Sequence, residues 1–135
     1  MQASSPKVLL TYFIHNGCDF RRKVPWLKSV RRYSCWLASN ITAGTVEQIS
    51  LLVQQPGVVK QLINNALINN ASREVHKLAL MALSNICKFG SDADVQALNK
   101  CQGLQPLADA ARRMDADESV LVACSDAIMR VVLMP

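Results

Sequence analysis

A chain of 135 residues, half of them hydrophobic, can bury one core of ordinary domain size without disulfides or metals. Two Trp, two Tyr and three Phe set against abundant Leu, Ala, Val and Ile argue against an aromatic-rich sandwich and favour helix packed on helix. The net charge of +5 is polarised: residues 1–43 carry seven Lys/Arg against Asp19 alone, residues 44–90 four against two, and residues 91–135 four against seven. Such a gradient either steers an acidic partner to the N-terminal end or belongs to a solvated basic surface.

In chain order, residues 7–16 come first, with Val8, Leu9, Leu10, Tyr12, Phe13 and Ile14 as an apolar face. Pro25 suits the first turn of a helix, because its fixed φ is helical and its missing N–H has no partner there anyway. Gly44 suits a left-handed stop, so a long helix is expected over residues 25–43. Thr45 or Val46 opens a short helix through Val53, and Pro56-Gly57 breaks it. Residues 58–67 then show helical spacing at Val58, Val59, Leu62, Ile63, Ala66 and Leu67. Asn64-Asn65 and Asn69-Asn70 flank the following turn and read as helix terminators, since asparagine competes for backbone hydrogen bonds. Ser72 caps a second long helix to Phe89. The cycle repeats with a short helix over 93–100, a break at Gln102-Gly103, a helix over 104–114 and a long helix over 117–133.

The cycle is matched by sequence. Leu37-Ala38-Ser39-Asn40-Ile41 returns 45 residues on as Ala82-Leu83-Ser84-Asn85-Ile86, Gly44 returns 46 on as Gly90, and Pro56-Gly57-Val58-Val59 returns 46 on as Gln102-Gly103-Leu104-Gln105. A period of this length signals a HEAT or armadillo solenoid, and short, medium and long helices in turn signal the armadillo kind. The expected architecture is an all-α, right-handed armadillo-type solenoid of about two and a half three-helix repeats. It is read as one domain over residues 1–135, with a partial repeat at 1–44, a full repeat at 45–90 and a full capping repeat at 91–135.

Within Cys35-Trp36-Leu37-Ala38-Ser39-Asn40, the Trp36 indole and the Asn40 amide are four residues apart and share one helix face. An asparagine side chain offers a donor and an acceptor, which match the unpaired N–H and C=O of an extended peptide. The indole offers a flat wall for the methylenes of Lys or Arg, with roughly 0.5–2 kcal/mol available from a cation over the ring.

The run Cys35-Trp36-Leu37-Ala38-Ser39-Asn40-Ile41-Thr42-Ala43-Gly44, followed by Gln48-Ile49, resembles the third helix of an importin-α (karyopherin-α) armadillo repeat and the start of the next. Cys101-Gln102-Gly103-Leu104 and Asp117-Glu118-Ser119-Val120 are similar to that family's last repeat. The resemblance implies a groove lined by Trp and Asn that holds a nuclear localisation peptide in extended form, with transport factors as further partners. Carried over by position, Trp36, Asn40 and Gly44 match, Asn85 matches the next Asn, Met81 stands where Trp is expected, and Ser125 and Met129 stand in the third repeat. This pattern resembles the family's C-terminal repeats and implies a divergent or truncated form. The family's groove is acidic, whereas Arg31, Arg32 and Lys77 lie near the motif here.

Other chemistry is poorly served. Five cysteines occur without a C-x-x-C pair or nearby histidines, so no metal site, cofactor or redox motif is nominated, and reduced thiols point to the cytosol or nucleus. His15 and His76 are far apart, with no G-x-S-x-G and no phosphate-cradling glycine loop, so no enzyme is expected. No leader pattern and no 18-residue apolar window suggests a membrane partner. Arg21, Arg22, Lys23, Arg31 and Arg32 form a basic patch that opens a nucleic-acid reading, but no stacking platform or nucleic-acid motif accompanies it, and a solvated loop is the stronger reading. A scaffold role is the main alternative to peptide binding, with homodimerisation expected through the apolar face at Val8–Ile14.

Overall fold

The computed structural model describes residues 25–67, 72–113 and 117–134, with side chains from Arg31 onward. These residues form seven helices and no strand: α1 (Pro25–Thr42), α2 (Val46–Gln54), α3 (Val58–Ala66), α4 (Arg73–Phe89), α5 (Asp92–Lys100), α6 (Leu104–Arg112) and α7 (Glu118–Leu133). Two nine-residue helices and one long helix follow one another twice after α1; the breaks fall where the punctuation predicts, but the expected medium helix is no longer than the short one. The apolar segment at residues 7–16, with Val8–Ile14, lies outside the described residues, as do Arg21, Arg22 and Lys23.

Local chemistry sets the boundaries. Thr45 accepts from the Gln48 backbone N–H at 3.2 Å while Gln48 Oε1 accepts from the Thr45 N–H at 2.9 Å, a reciprocal cap that starts α2. Ser91 and Asp94 repeat the device at α5. Ser72 and Asp117 cap the two long helices α4 and α7. Gly57 takes a φ of 81°, a left-handed geometry that lets Pro56-Gly57 turn the chain sharply between α2 and α3.

Gly44 behaves differently from expectation. Its φ is not left-handed; Gly57 is the only glycine with positive φ among the described residues. A Cβ there would meet the flexible end of the Gln48 side chain folded back to cap Thr45, so glycine at this position leaves the next helix's cap undisturbed.

The long helix α4 is the hub. It touches all six other helices, with α1 on one side and α7 on the other. Ala79, Leu80, Ala82, Leu83, Ile86 and Cys87 of α4 are fully or almost fully buried, and burial pushes the Cys35 and Cys87 thiols up to about 12, so both stay protonated. Cys124 is likewise buried and Cys101 half-buried, all as free thiols.

Asn65 departs from the terminator reading. It lies in the last turn of α3, fully buried, and its Oδ1 accepts from Arg31 Nε at 3.1 Å and Nη2 at 2.6 Å, while its Nδ2 donates to the Gln61 carbonyl at 2.8 Å. The charge-assisted fork ties α1 to α3. A second polar tie joins α2 to α5, where the Ser50 hydroxyl donates to Asp94 Oδ2 at 2.7 Å.

His76 of α4 accepts from Arg113 Nη2, just past α6. Burial lowers the His76 pKa, the Arg113 guanidinium lowers it further, and the facing Ala66 carbonyl pulls modestly the other way. The folded chain therefore holds His76 neutral, while the unfolded chain takes up a proton near pH 6.5. Below pH 6.5 the unfolded state binds more protons, so stability is lost as pH falls from 6.5 toward the depressed native value. Melting temperatures measured between pH 7.5 and 5.5 should fall in the wild type and fall less in His76→Gln; equal slopes would refute the assignment.

Candidate peptide-binding face

Trp36 and Asn40 stand on the outer face of α1, where helical periodicity puts the indole and the amide one turn apart. Trp36 is 52% exposed, a large value for so apolar a side chain, and Asn40 is also exposed. Neither is used by the core of the fold. Tyr33, exposed one turn before Trp36, carries the Arg32 guanidinium 5.1 Å from its ring centroid.

On α4 the corresponding residues are more engaged. Met81 is half-buried and packs against the core. Asn85 directs its Nδ2 to the Ser39 carbonyl at 3.4 Å and to Thr42 Oγ1 at 3.3 Å, so its donor bridges α4 to α1. Gly44 lies exposed beyond the end of α1, beside the Asn40 turn.

The third helix shifts by one residue from expectation. The N-caps Ser72 and Asp117 are 45 residues apart. Asn85 bonds to Thr42, and 45 residues later Arg130 Nη1 donates to the Cys87 carbonyl at 2.6 Å. This register puts Asp126 and Arg130 at the positions of Met81 and Asn85, and moves Ser125 and Met129 off the face. Asp126 is exposed, and Arg130 also pairs with Asp92 at 3.6 Å. The 45-residue spacing of Ser72 and Asp117 was the signal in the sequence that pointed to this register.

The basic residues near the motif are largely occupied. Arg31 reaches into the Asn65 fork rather than outward. Arg32 Nη1 lies 3.8 Å from Glu74, and Lys77 Nζ lies 2.9 Å from Asp117. The Lys77 ammonium, with Ser119, holds the Asp117 carboxyl down at about 2. Both pairs are exposed and screened, so they matter less for stability than for offsetting the positive charge of this face. Among the described residues no His/Cys/Asp/Glu cluster could hold a metal, and no helix is long and apolar enough to cross a membrane.

No protein-family model matches the sequence, and no curated protein matches it. Solved structures do. A designed armadillo repeat protein in complex with the peptide (KR)4 superposes with a TM-score of 0.69 at 26% identity, over 96% of this chain and 47% of that one. A computationally designed armadillo repeat protein for modular peptide recognition gives 0.74 at 26% identity, over 98% and 49%. A further designed armadillo repeat protein gives 0.65 at 28%, over 93% and 46%. The chain spans about half the length of each. With seven helices and these neighbours, the fold is an all-α helical solenoid of armadillo type.

Proposed function

We propose that this chain binds an extended peptide across α1, α4 and α7, with Trp36 and Asn40 as the principal anchor, and that it acts as an adaptor of nuclear-import type for Lys/Arg-containing segments. The observation that carries this reading is the exposure of Trp36 beside Asn40, two side chains that the fold does not itself consume. Asn40 pairs with a peptide N–H and C=O, and Trp36 receives the aliphatic stem and cation of a basic side chain. Asn85 contributes its amide oxygen, Met81 an adaptable apolar contact, and Gly44 close approach. The designed neighbour solved with (KR)4 lends support to a basic peptide.

Arg32 and Lys77 do not forbid such a ligand, because Glu74 and Asp117 offset them. Asp126 supplies an exposed carboxylate at the far end. Packed helices lie about 8–10 Å apart and an extended chain advances about 3.3 Å per residue, so Trp36 and Asp126 are spanned by roughly five or six peptide residues. The role carries the expectation of cytoplasmic and nuclear residence and of transport factors as further partners.

The test is a titration of a labelled Lys/Arg peptide and a labelled oligonucleotide against wild type, Asn40→Ala and Trp36→Ala. Each substitution should weaken peptide binding about tenfold, the equivalent of ~1.4 kcal/mol. Peptide binding unchanged by Asn40→Ala would overturn the reading. Oligonucleotide binding abolished by neutralising Arg21, Arg22 and Lys23 would favour the nucleic-acid alternative instead.

A further inference from the structure

The stripe that continues the Trp36 and Asn40 face onto α4 is built from different chemistry. Lys77, Met81, Asn85 and Lys88 stand four, four and three residues apart, which puts them along one side of the helix. In the 45-residue register their counterparts on α1 are Arg32, Trp36, Asn40 and Ala43. Because α4 lies between α1 and α7, its stripe is framed by described helices on both sides.

Two differences separate the stripes. Where α1 raises an indole that is 52% exposed, α4 has the half-buried Met81, whose thioether packs down on the core and offers a low apolar floor with no π face. Where α1 ends its stripe in the small, exposed Ala43, α4 ends it in Lys88, whose ammonium lies 5.2 Å from the Phe89 ring centroid. Arg32 has Glu74 at 3.8 Å and Lys77 has Asp117 at 2.9 Å. Among the described residues no carboxylate pairs with Lys88, so an aromatic ring alone offsets its charge. The Asn85 Nδ2 is spent on the Ser39 carbonyl and Thr42 Oγ1, whereas Asn40 makes no hydrogen bond through its side chain among the described residues. Backbone anchoring therefore centres on α1, and the side chain decides what sits over α4.

We propose, on the premise that this face holds an extended peptide, that α4 selects an apolar peptide residue and disfavours Lys and Arg. The ligand class is then a peptide with a basic residue over Trp36 and an apolar residue over Met81, not a continuous basic run. Met81 and Lys88 are the specificity-determining residues. A Lys or Arg placed over Met81 finds no indole for its cation and meets the uncompensated Lys88 ammonium. An apolar side chain there removes both its own surface and that of Met81 from water. Packed helices lie about 8–10 Å apart and an extended chain advances about 3.3 Å per residue, so the two peptide residues are roughly two or three positions apart.

The experiment is fluorescence anisotropy with labelled (KR)4 and with variants of it that carry Leu at each central position in turn. The proteins are wild type, Asn40→Ala, Met81→Trp and Lys88→Gln, each checked for helicity by circular dichroism. Wild type should bind at least one Leu variant about fivefold more tightly than (KR)4, although that variant has lost a positive charge. Met81→Trp should reverse the order in favour of (KR)4. Lys88→Gln, at a solvent-accessible helix end, should narrow the preference about threefold by tightening (KR)4, and high salt should shrink that gain by screening the repulsion. Asn40-sensitive binding in which (KR)4 exceeds every Leu variant overturns the α4 selectivity and leaves peptide binding standing. A Leu preference unmoved by both Met81→Trp and Lys88→Gln also overturns it, placing the apolar contact elsewhere. Failure of every peptide to bind, or binding indifferent to Asn40→Ala, overturns the peptide-binding face itself and the selectivity with it.

Discussion

Leu83→Ala should destabilise the chain by about 2–5 kcal/mol, the range for deleting a fully buried leucine side chain and leaving its cavity. Leu83 has no exposed surface and lies on α4, the helix that touches all the others. A cavity there opens within the core cluster, with little slack for collapse, since Ala79, Ala82 and Ile86 of the same helix are also buried in it. In a long solenoid such damage stays within one unit and its neighbours; in a stack this short the damaged unit adjoins everything. Thermal unfolding should remain a single transition and shift down on the order of 10 °C. Leu51→Ala, at an exposed position of α2, should change stability by less than about 0.5 kcal/mol. A Leu83→Ala loss under about 1 kcal/mol would show that α4 is not the hub.

The second large effect concerns the polar tie between α1 and α3. Arg31→Met should cost about 1–3 kcal/mol, because it keeps most of the side-chain volume while leaving the buried Asn65 Oδ1 without its guanidinium donors. Replacing both partners, as Arg31→Met with Asn65→Leu, should recover much of that loss, since no buried acceptor is then left unpaired. Chemical denaturation of the two singles and the double measures the coupling directly. Additive losses would mean that Arg31 stabilises through its other contacts and that Asn65 does not depend on it.

Asn65 also marks a limit of local reasoning. Asparagine near a turn reads as a terminator because its side chain competes for nearby backbone bonds. The helix does end at Ala66, yet the Asn65 amide is committed to an arginine 34 positions away, which no local window contains. Arg31 is the same error seen from the other end: in sequence it belongs to a basic patch, and in the fold it points inward. α1 ends just before Gly44 as expected, but without the left-handed φ that the stop reading supposes.

By itself the sequence determined the helices, their order and their stacking class. Those depend on signals carried within a few residues: the Thr45 and Ser91 caps, the Pro56-Gly57 break, the 3.6-residue apolar period, and a repeat of that block 45 residues on. It also placed Trp36 and Asn40 on one face, because four residues of helix do so wherever the helix sits. The tertiary structure alone decided which side chains remain for a partner. Only side-by-side packing of α1, α4 and α7 could reveal that Asn85 bridges to Thr42, that Glu74 and Asp117 offset Arg32 and Lys77, and that Asp126 shares the face of Trp36. Availability is a property of neighbours, and neighbours here are helices some 45 residues apart.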